Sequence, residues 1–501
     1  MLKFFALLFF TLILTDVVLT QTKPQSPGTI VFSNVTVIDV KNGHQKRNTT
    51  VVIIGNRIAA VGQNNRVNVP KNAQIIDARG KFLIPGLWDM HIHAWDANAF
   101  YPILLANGVT GIRDMGDDLK SLAAFRQQIE TGKLIGPRLF FSGQIIDGLR
   151  RESIPFLFSY VTNEEEGRTR VRQLKEGGAD FIKVYNALTP EAYTAIADEA
   201  KRQNFAFVGH VPISMGVRAA STSGQRSIEH LSGIAIACSS NEENLTRQVR
   251  YLLEEMHRVD NQRIKETGDR AKELQQKTYG ISNQLYELTD RKAFDTFNST
   301  KCAKLYELFR QQNTWQVPTL ALGGGNSLHF DVKQLRAERL RYFPEFVHGL
   351  ILQNNEKPSP EQLALQKKRF QTKLQIVRTM YRAKVPLLAG SDAPNPNVYP
   401  GFSLHDELEM FVQAGLSSLE ALRTATLNPA VFLDKSKELG NIEQGKLADL
   451  VLLDANPLAD IKNTRRISAV VANGRVFERE ALNKMFADAE AKYQKNTAAP
   501  K

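Results

Sequence analysis

Two styles of hydrophobic patterning divide the chain. From Thr29 to Gly80, short apolar runs alternate with polar positions and break at Asn and Gly: "TIVFSNVTVID", "TTVVIIGNRIAAVG", "AQIIDARG". A period of two between turn residues marks half-buried strands. The C-terminal part returns to this style in "ADLVLLDANP" and "RISAVVANGRVFE". Both flanks are therefore expected to meet in one small antiparallel β-sandwich. Between them the runs turn almost wholly apolar and alternate with helical stretches, at residues 83–93, 108–115, 137–144, 180–185, 205–212, 227–231, 315–322 and 385–394. Continuous apolar strands spaced by helices predict a parallel sheet buried on both faces. Eight such units favour an α/β fold of the (β/α)8 TIM-barrel type.

Local signals place some of the helices. "TNEEEGRTRVRQLKEGG" starts with Thr162 and Glu165 at capping-box spacing and stops at Gly177-Gly178. Thr189 precedes Pro190, a proline suited to the first helical position. Residues 240–312 interrupt the alternation with a polar, helical block in which thirteen basic residues nearly balance twelve acidic ones. A lid, an oligomer contact and a plain surface hairpin are all open readings of it. The expected division is a leader over 1–22, sandwich strands over 23–82, a barrel over 83–435 containing the insertion, further sandwich strands over 436–485, and a tail over 486–501.

Composition changes little in this picture. At 43% hydrophobic and 23% charged over 501 residues, the chain has the make-up of an ordinary globular protein. Its opening matters more. Lys3 precedes the apolar run "FFALLFFTLIL", Asp16 interrupts, and polar residues follow from Gln21. That reads as a secretory signal peptide, too short and too charged at its far end for a span. The expectation is an exported protein, periplasmic or extracellular, with no stable membrane insertion after cleavage. Export permits a disulfide, and whether Cys238 and Cys302 pair or stay free is left open. The net charge is +12, with twelve Lys/Arg against five Asp/Glu in residues 331–384. No nucleic-acid motif accompanies that excess, so a solvated helical face is expected, with no nucleic-acid partner. Docking to an anionic polymer of the cell envelope is the alternative reading of the same stretch.

The chemistry-bearing residues fall at regular places. "FLIPGLWDMHIHAWD" ends the first apolar strand with His91 and His93, which alternation turns to one face. Lys183 lies within the fourth strand, His210 ends the fifth, His230 the sixth and Asp392 the eighth. In a barrel, chemistry gathers at the C-terminal strand ends. Taken singly, each has a bland alternative: satisfied core histidines, a snorkelling lysine, an aspartate capping a helix. Together they describe a metal cage. Tyr185, two residues beyond Lys183, is a candidate to donate to a substrate oxygen or carboxylate, against ordinary packing. Arg113, at the end of the second strand, is a candidate for an anionic substrate group, against pairing with Asp114 or Asp117. His405 is a candidate support from outside the ligand set. The loops at 322–326 and 393–401 are expected above the site.

These six residues in this order, with "LIPGLWDMHIH" and "GNIEQGKLADLVLLDANP", resemble the metal-dependent amidohydrolase superfamily, nearest its imidazolonepropionase-like and prolidase-like branch. The resemblance implies two divalent transition-metal ions, most often Zn2+. His91, His93 and Asp392 would hold one, His210 and His230 the other, and a carboxylated Lys183 would bridge them. It implies hydrolysis of a carbon–nitrogen bond in a small substrate, such as a dipeptide or N-acyl amino acid. Paired cations would activate a shared water, and Asp392 would shuttle its proton. Deaminases of the superfamily carry a glutamate shortly after the fifth-strand histidine, whereas "GHVPISMG" has no acid. Lactone, cyclic-amide and phosphotriester hydrolysis stay open, as does a non-catalytic binding role, and a homo-oligomer is compatible with all of them.

Overall fold

The structure is a computed structural model that describes residues 28–64, 66–150, 156–322, 328, 331–352 and 359–494. The expected leader and positions 323–326 of one expected loop lie outside the described residues. In chain order the strands are β1 (Thr29–Ile38), β2 (Gln45–Ile54), β3 (Arg57–Gln63), β4 (Gln74–Asp77), β5 (Phe82–Pro85), β6 (Leu87–Ile92), β7 (Val109–Asp114), β8 (Arg138–Phe141) and β9 (Ile145–Asp147). They continue with β10 (Phe158–Tyr160), β11 (Ile182–Val184), β12 (Phe207–Gly209), β13 (Ser227–Glu229), β14 (Trp315–Val317), β15 (Leu450–Leu453), β16 (Ile467–Ala472) and β17 (Arg475–Glu478).

Strands from the two chain ends form one sheet in the order β17-β16-β15-β5-β1-β2-β3, with β4 also paired to β1. This sheet is mixed rather than purely antiparallel. On one side β1 runs parallel first to β4 and then, past its bulge, to β5. Alternate side chains such as Phe32, Val51, Ile53, Leu83 and Leu452 fill a core of its own. The apolar stretch 82–93 reads as one strand but divides at Gly86, whose N–H donates to the Asp449 carbonyl. Residues 82–85 join the end sheet, and 87–92 join the central body.

The central body is parallel. β6-β7-β8 form one sheet and β10-β9-β11-β12-β13-β14 another, with helices such as 97–106, 119–130, 164–176 and 190–202 between successive strands. Residues 385–394 form no continuous ladder. They bridge to both sheets through Gln316↔Leu387 and Ile92↔Ala393. Helix 164–176 is capped one residue later than the sequence suggests: Asn163 accepts from the Glu166 N–H, and Glu166 accepts from the Thr162 N–H. Thr189 caps its helix with Pro190 behind it. Between β13 and β14, helices 242–263 and 268–286 pack together, and Cys238–Cys302 forms a disulfide at their base. Among the described residues no helix is long and apolar enough to cross a membrane.

Candidate active site

The C-terminal ends of β6, β11, β12 and β13, with segment 389–393, deliver their side chains to one place. The join between β6 and that segment is tight: Met90 N–H donates to the Ala389 carbonyl, Asp392 N–H to that of His91, and His93 N–H to that of Ala393. Only glycine fits at 390, because a Cβ there would lie 2.7 Å from the His91 Cβ. Gly209 serves β12 in the same way. Its φ is +128°, and a Cβ would stand 2.3 Å from the Val184 carbonyl oxygen. These two contacts explain the "AGSD" and "VGH" wording.

His91 is fully buried. Its Nε2 lies 3.2 Å from Lys183 Nζ and 3.2 Å from Asp392 Oδ1. His93 Nε2 stands 3.5 Å from the same carboxylate oxygen. His91, His93 and Asp392 offer ligand atoms that all fall within 4.8 Å of one another. The His230 ring is centred 4.5 Å from that of His91 and 4.7 Å from that of His210. Tyr185 leans on His210 at 4.2 Å between ring centres. His93, Lys183, Tyr185, His210, His230 and Asp392 form part of the lining of a cavity of about 1130 Å³.

All four imidazoles are oriented alike, each through Nδ1. His91 Nδ1 meets Glu229 Oε2 at 2.7 Å, and His93 Nδ1 meets the Gly116 carbonyl at 3.2 Å. His210 Nδ1 meets Asn186 Oδ1 at 2.8 Å, and His230 Nδ1 meets Thr319 Oγ1 at 2.7 Å. Carbonyl and carboxylate oxygens only accept, and Thr319 donates its own hydroxyl to the Pro318 carbonyl. Each Nδ1 therefore carries a proton, which leaves Nε2 as the ring nitrogen available to a metal ion. The backbone is strained around them: φ is +59° at His230, +59° at Leu231, +46° at Thr319 and +60° at Asp392. Such conformations collect where a site fixes its side chains.

Electrostatics follow from burial. Loss of solvent pushes Lys183 down to about 8, against the raising effect of Glu229 and Asp392. Burial likewise holds His210 well below its usual range and His230 down to about 3, so both are neutral donors of a lone pair. Burial alone would raise Asp392. The neighbouring imidazoles of His91, His230 and His93 outweigh it and hold the carboxyl well below its usual range. Imidazole nitrogens with a carboxylate suit zinc and its first-row neighbours, so the donor set fits the divalent metals expected. His91, His93 and Asp392 form a group that could hold a metal ion, and the rings of His230 and His210 stand beside it.

Arg113 is not a substrate-binding residue in this structure. It is fully buried beneath the cavity, donating Nε to the Met90 carbonyl (2.6 Å), one amine to Ser227 Oγ (3.0 Å) and the other to Glu229 Oε1 (2.9 Å). Its partner is Glu229, neither Asp114 nor Asp117. The chain Arg113–Glu229–His91 keeps a carboxylate charged in the interior and aims the first imidazole. Glu229 was not singled out from sequence, although an acid inside a short apolar strand is a visible signal. Asp89, pushed up to about 7 by burial and hydrogen-bonded by Ser391, also escaped notice, as did Asn186 and Thr319. His405 is buried away from the cage, with Nδ1 on Thr464 Oγ1 and Nε2 on the Asn107 carbonyl.

Comparison with known proteins agrees with this arrangement. Residues 82–477 match the model of the amidohydrolase family. The ochratoxinase of Aspergillus niger is 22% identical over 516 aligned residues, covering 89% of this chain and 86% of that one. A crystal structure of a Xaa-Pro dipeptidase with bound methionine aligns over 90% of this chain and 100% of its own, at 21% identity and a TM-score of 0.59. A bottromycin amidohydrolase aligns over 93% of this chain and 90% of its own, at 19% identity and a TM-score of 0.70. The structural likenesses speak for the fold, and the family match spans the strands that carry every cage residue: the chain is an enzyme of the amidohydrolase family.

Proposed function

We propose that this chain is an exported, binuclear metal-dependent hydrolase on a closed (β/α)8 barrel, cleaving an amide or peptide bond in a small substrate such as a dipeptide or N-acyl amino acid. The observation that carries the reading is the shared orientation of four imidazoles, each with Nδ1 committed to an acceptor. Metal-ligating histidines are held in this way. His91, His93 and Asp392 would hold one ion and His210 and His230 the second, most plainly Zn2+, with Lys183 carboxylated between them. When bound, the ions supply an activated water and polarise the scissile carbonyl. Asp392, kept ionised, accepts the proton of the attacking water and returns it to the leaving nitrogen. Tyr185, on the wall beside His210, orients the substrate oxygen. Lys183 is 1% exposed and has no carboxylate within ion-pairing distance among the described residues, a costly position that a carbamate between cations would relieve.

The experiment is metal analysis of the purified protein joined to a panel of dipeptides and N-acyl amino acids. About two ions per chain and turnover of at least one amide are expected. Lys183→Ala should lose both. A fully active Lys183→Ala variant would overturn the reading.

A further inference from the structure

The cavity is larger than a dipeptide requires. Sites for drug-sized ligands hold roughly 300–1,000 Å³, and this one holds about 1130 Å³. The cage supplies its histidines and Asp392, and Lys373, Thr246 and Thr289 add polar groups elsewhere in the lining. Away from the cage, the loops that follow His210 and His230 turn apolar at once and line the cavity with Ile213, Met215, Val217 and Ile236. The insertion completes this wall with Val249 and Phe294. The charged side chains Arg218 and Glu242, farther along, are paired with each other. Phe156, Tyr286 and Phe346, each from a different part of the chain, add half-exposed aromatic surface to the lining, with Arg369 standing over the Tyr286 ring.

Resting on the hydrolase reading above, we infer that the substrate is an N-acyl amino acid whose acyl group is an extended apolar chain. That chain lies along the His210–His230 side beneath the insertion, and the amino-acid part stays at the cage. The insertion is then a specificity wall. Its base is fastened by the Cys238–Cys302 disulfide, by Ser240 N–H to the Thr296 carbonyl and by Asn298 N–H to the Cys238 carbonyl. Hydrolysis adds water across the amide and releases the free fatty acid and the amino acid.

The test uses the metal-loaded, full-length enzyme with acetyl, butanoyl, hexanoyl and octanoyl derivatives of one amino acid. In parallel, calorimetry measures binding of acetate through octanoate. Each fully buried methylene is worth roughly fourfold, so over the six added from acetyl to octanoyl kcat/KM is expected to rise by on the order of a hundredfold to a few thousandfold, and the acids should bind in the same order. Ile236→Trp, which narrows the channel, should cut the octanoyl-to-acetyl ratio about tenfold or more. Tyr286→Ala, an exposed change that the fold tolerates, should cut it several-fold. A flat or falling profile in both turnover and binding overturns the inference, and the hydrolase reading survives if short amides are cleaved. Chain-length-dependent binding without any amide turnover keeps the channel and overturns the hydrolase reading.

Discussion

The cage and the wall of the one cavity are built on opposite principles. At the cage every polar side chain has an assigned partner, and strained backbone at His230, Thr319 and Asp392 holds those pairings in place. The wall is apolar, comes largely from loops and a helical insertion, and is fixed at its base by one disulfide. In the function proposed above, the cage decides what bond is broken, and the wall decides what that bond is attached to. Substitutions at the two should separate cleanly in kinetics.

The largest effect is expected at the cage. Lys183→Ala should lower kcat by on the order of a thousandfold or more for short and long acyl substrates alike, read by steady-state assay beside metal analysis. Next comes the buried support. Arg113→Met leaves the buried Glu229 carboxylate without its guanidinium partner and should cost about 3–5 kcal/mol in urea unfolding. Glu229→Gln should weaken metal binding roughly 10–100-fold in chelator competition. Neither change should alter the chain-length preference among whatever activity remains. Replacing Cys238 and Cys302 together with Ser should cost about 2–4 kcal/mol. It should raise KM for octanoyl substrates and leave kcat for acetyl substrates unchanged, and an equal loss on both would blur the division between cage and wall.

The smallest effect is a pH dependence outside both regions. Burial pushes Glu407 up to about 8 from an ordinary 4.5, against the N–H groups of Leu320 and Ala321 that favour the anion. A carboxyl raised on folding contributes its stability below the unfolded value, and that contribution is lost as pH climbs through about 8. Wild-type stability should fall between pH 5 and 9 more steeply than that of Glu407→Gln, measured by urea unfolding across that range.

Much of the cage was legible in the sequence because His91, His93, Lys183, His210 and His230 lie in or just past short apolar strands, whereas Asp392 sits in a segment with no continuous ladder. Asp392 reaches the others only through its N–H on the His91 carbonyl and the His93 N–H on the Ala393 carbonyl, contacts that hydropathy does not encode. Arg113 was misread. Its position at a strand end looks like that of a ligand, and only the three-dimensional meeting of β7 with β13 shows that it serves Glu229 beneath the cavity. The end sheet was visible as strands, but the parallel pairing of β1 with β4 and β5 depends on a bulge that hydropathy does not encode. The wall could not be read at all. Val249, Phe294 and Phe346 are ordinary helix apolar positions until the insertion folds back over the strand ends.

Anomalous diffraction at the zinc edge from crystals of the metal-loaded enzyme tests the central claim most directly. The account predicts two peaks on the cavity floor, with the Nε2 atoms of His91 and His93 on one and those of His210 and His230 on the other at about 2.0–2.1 Å, and added density on Lys183 Nζ between them. A single peak, or any of the four histidines presenting Nδ1 to the metal, would contradict it.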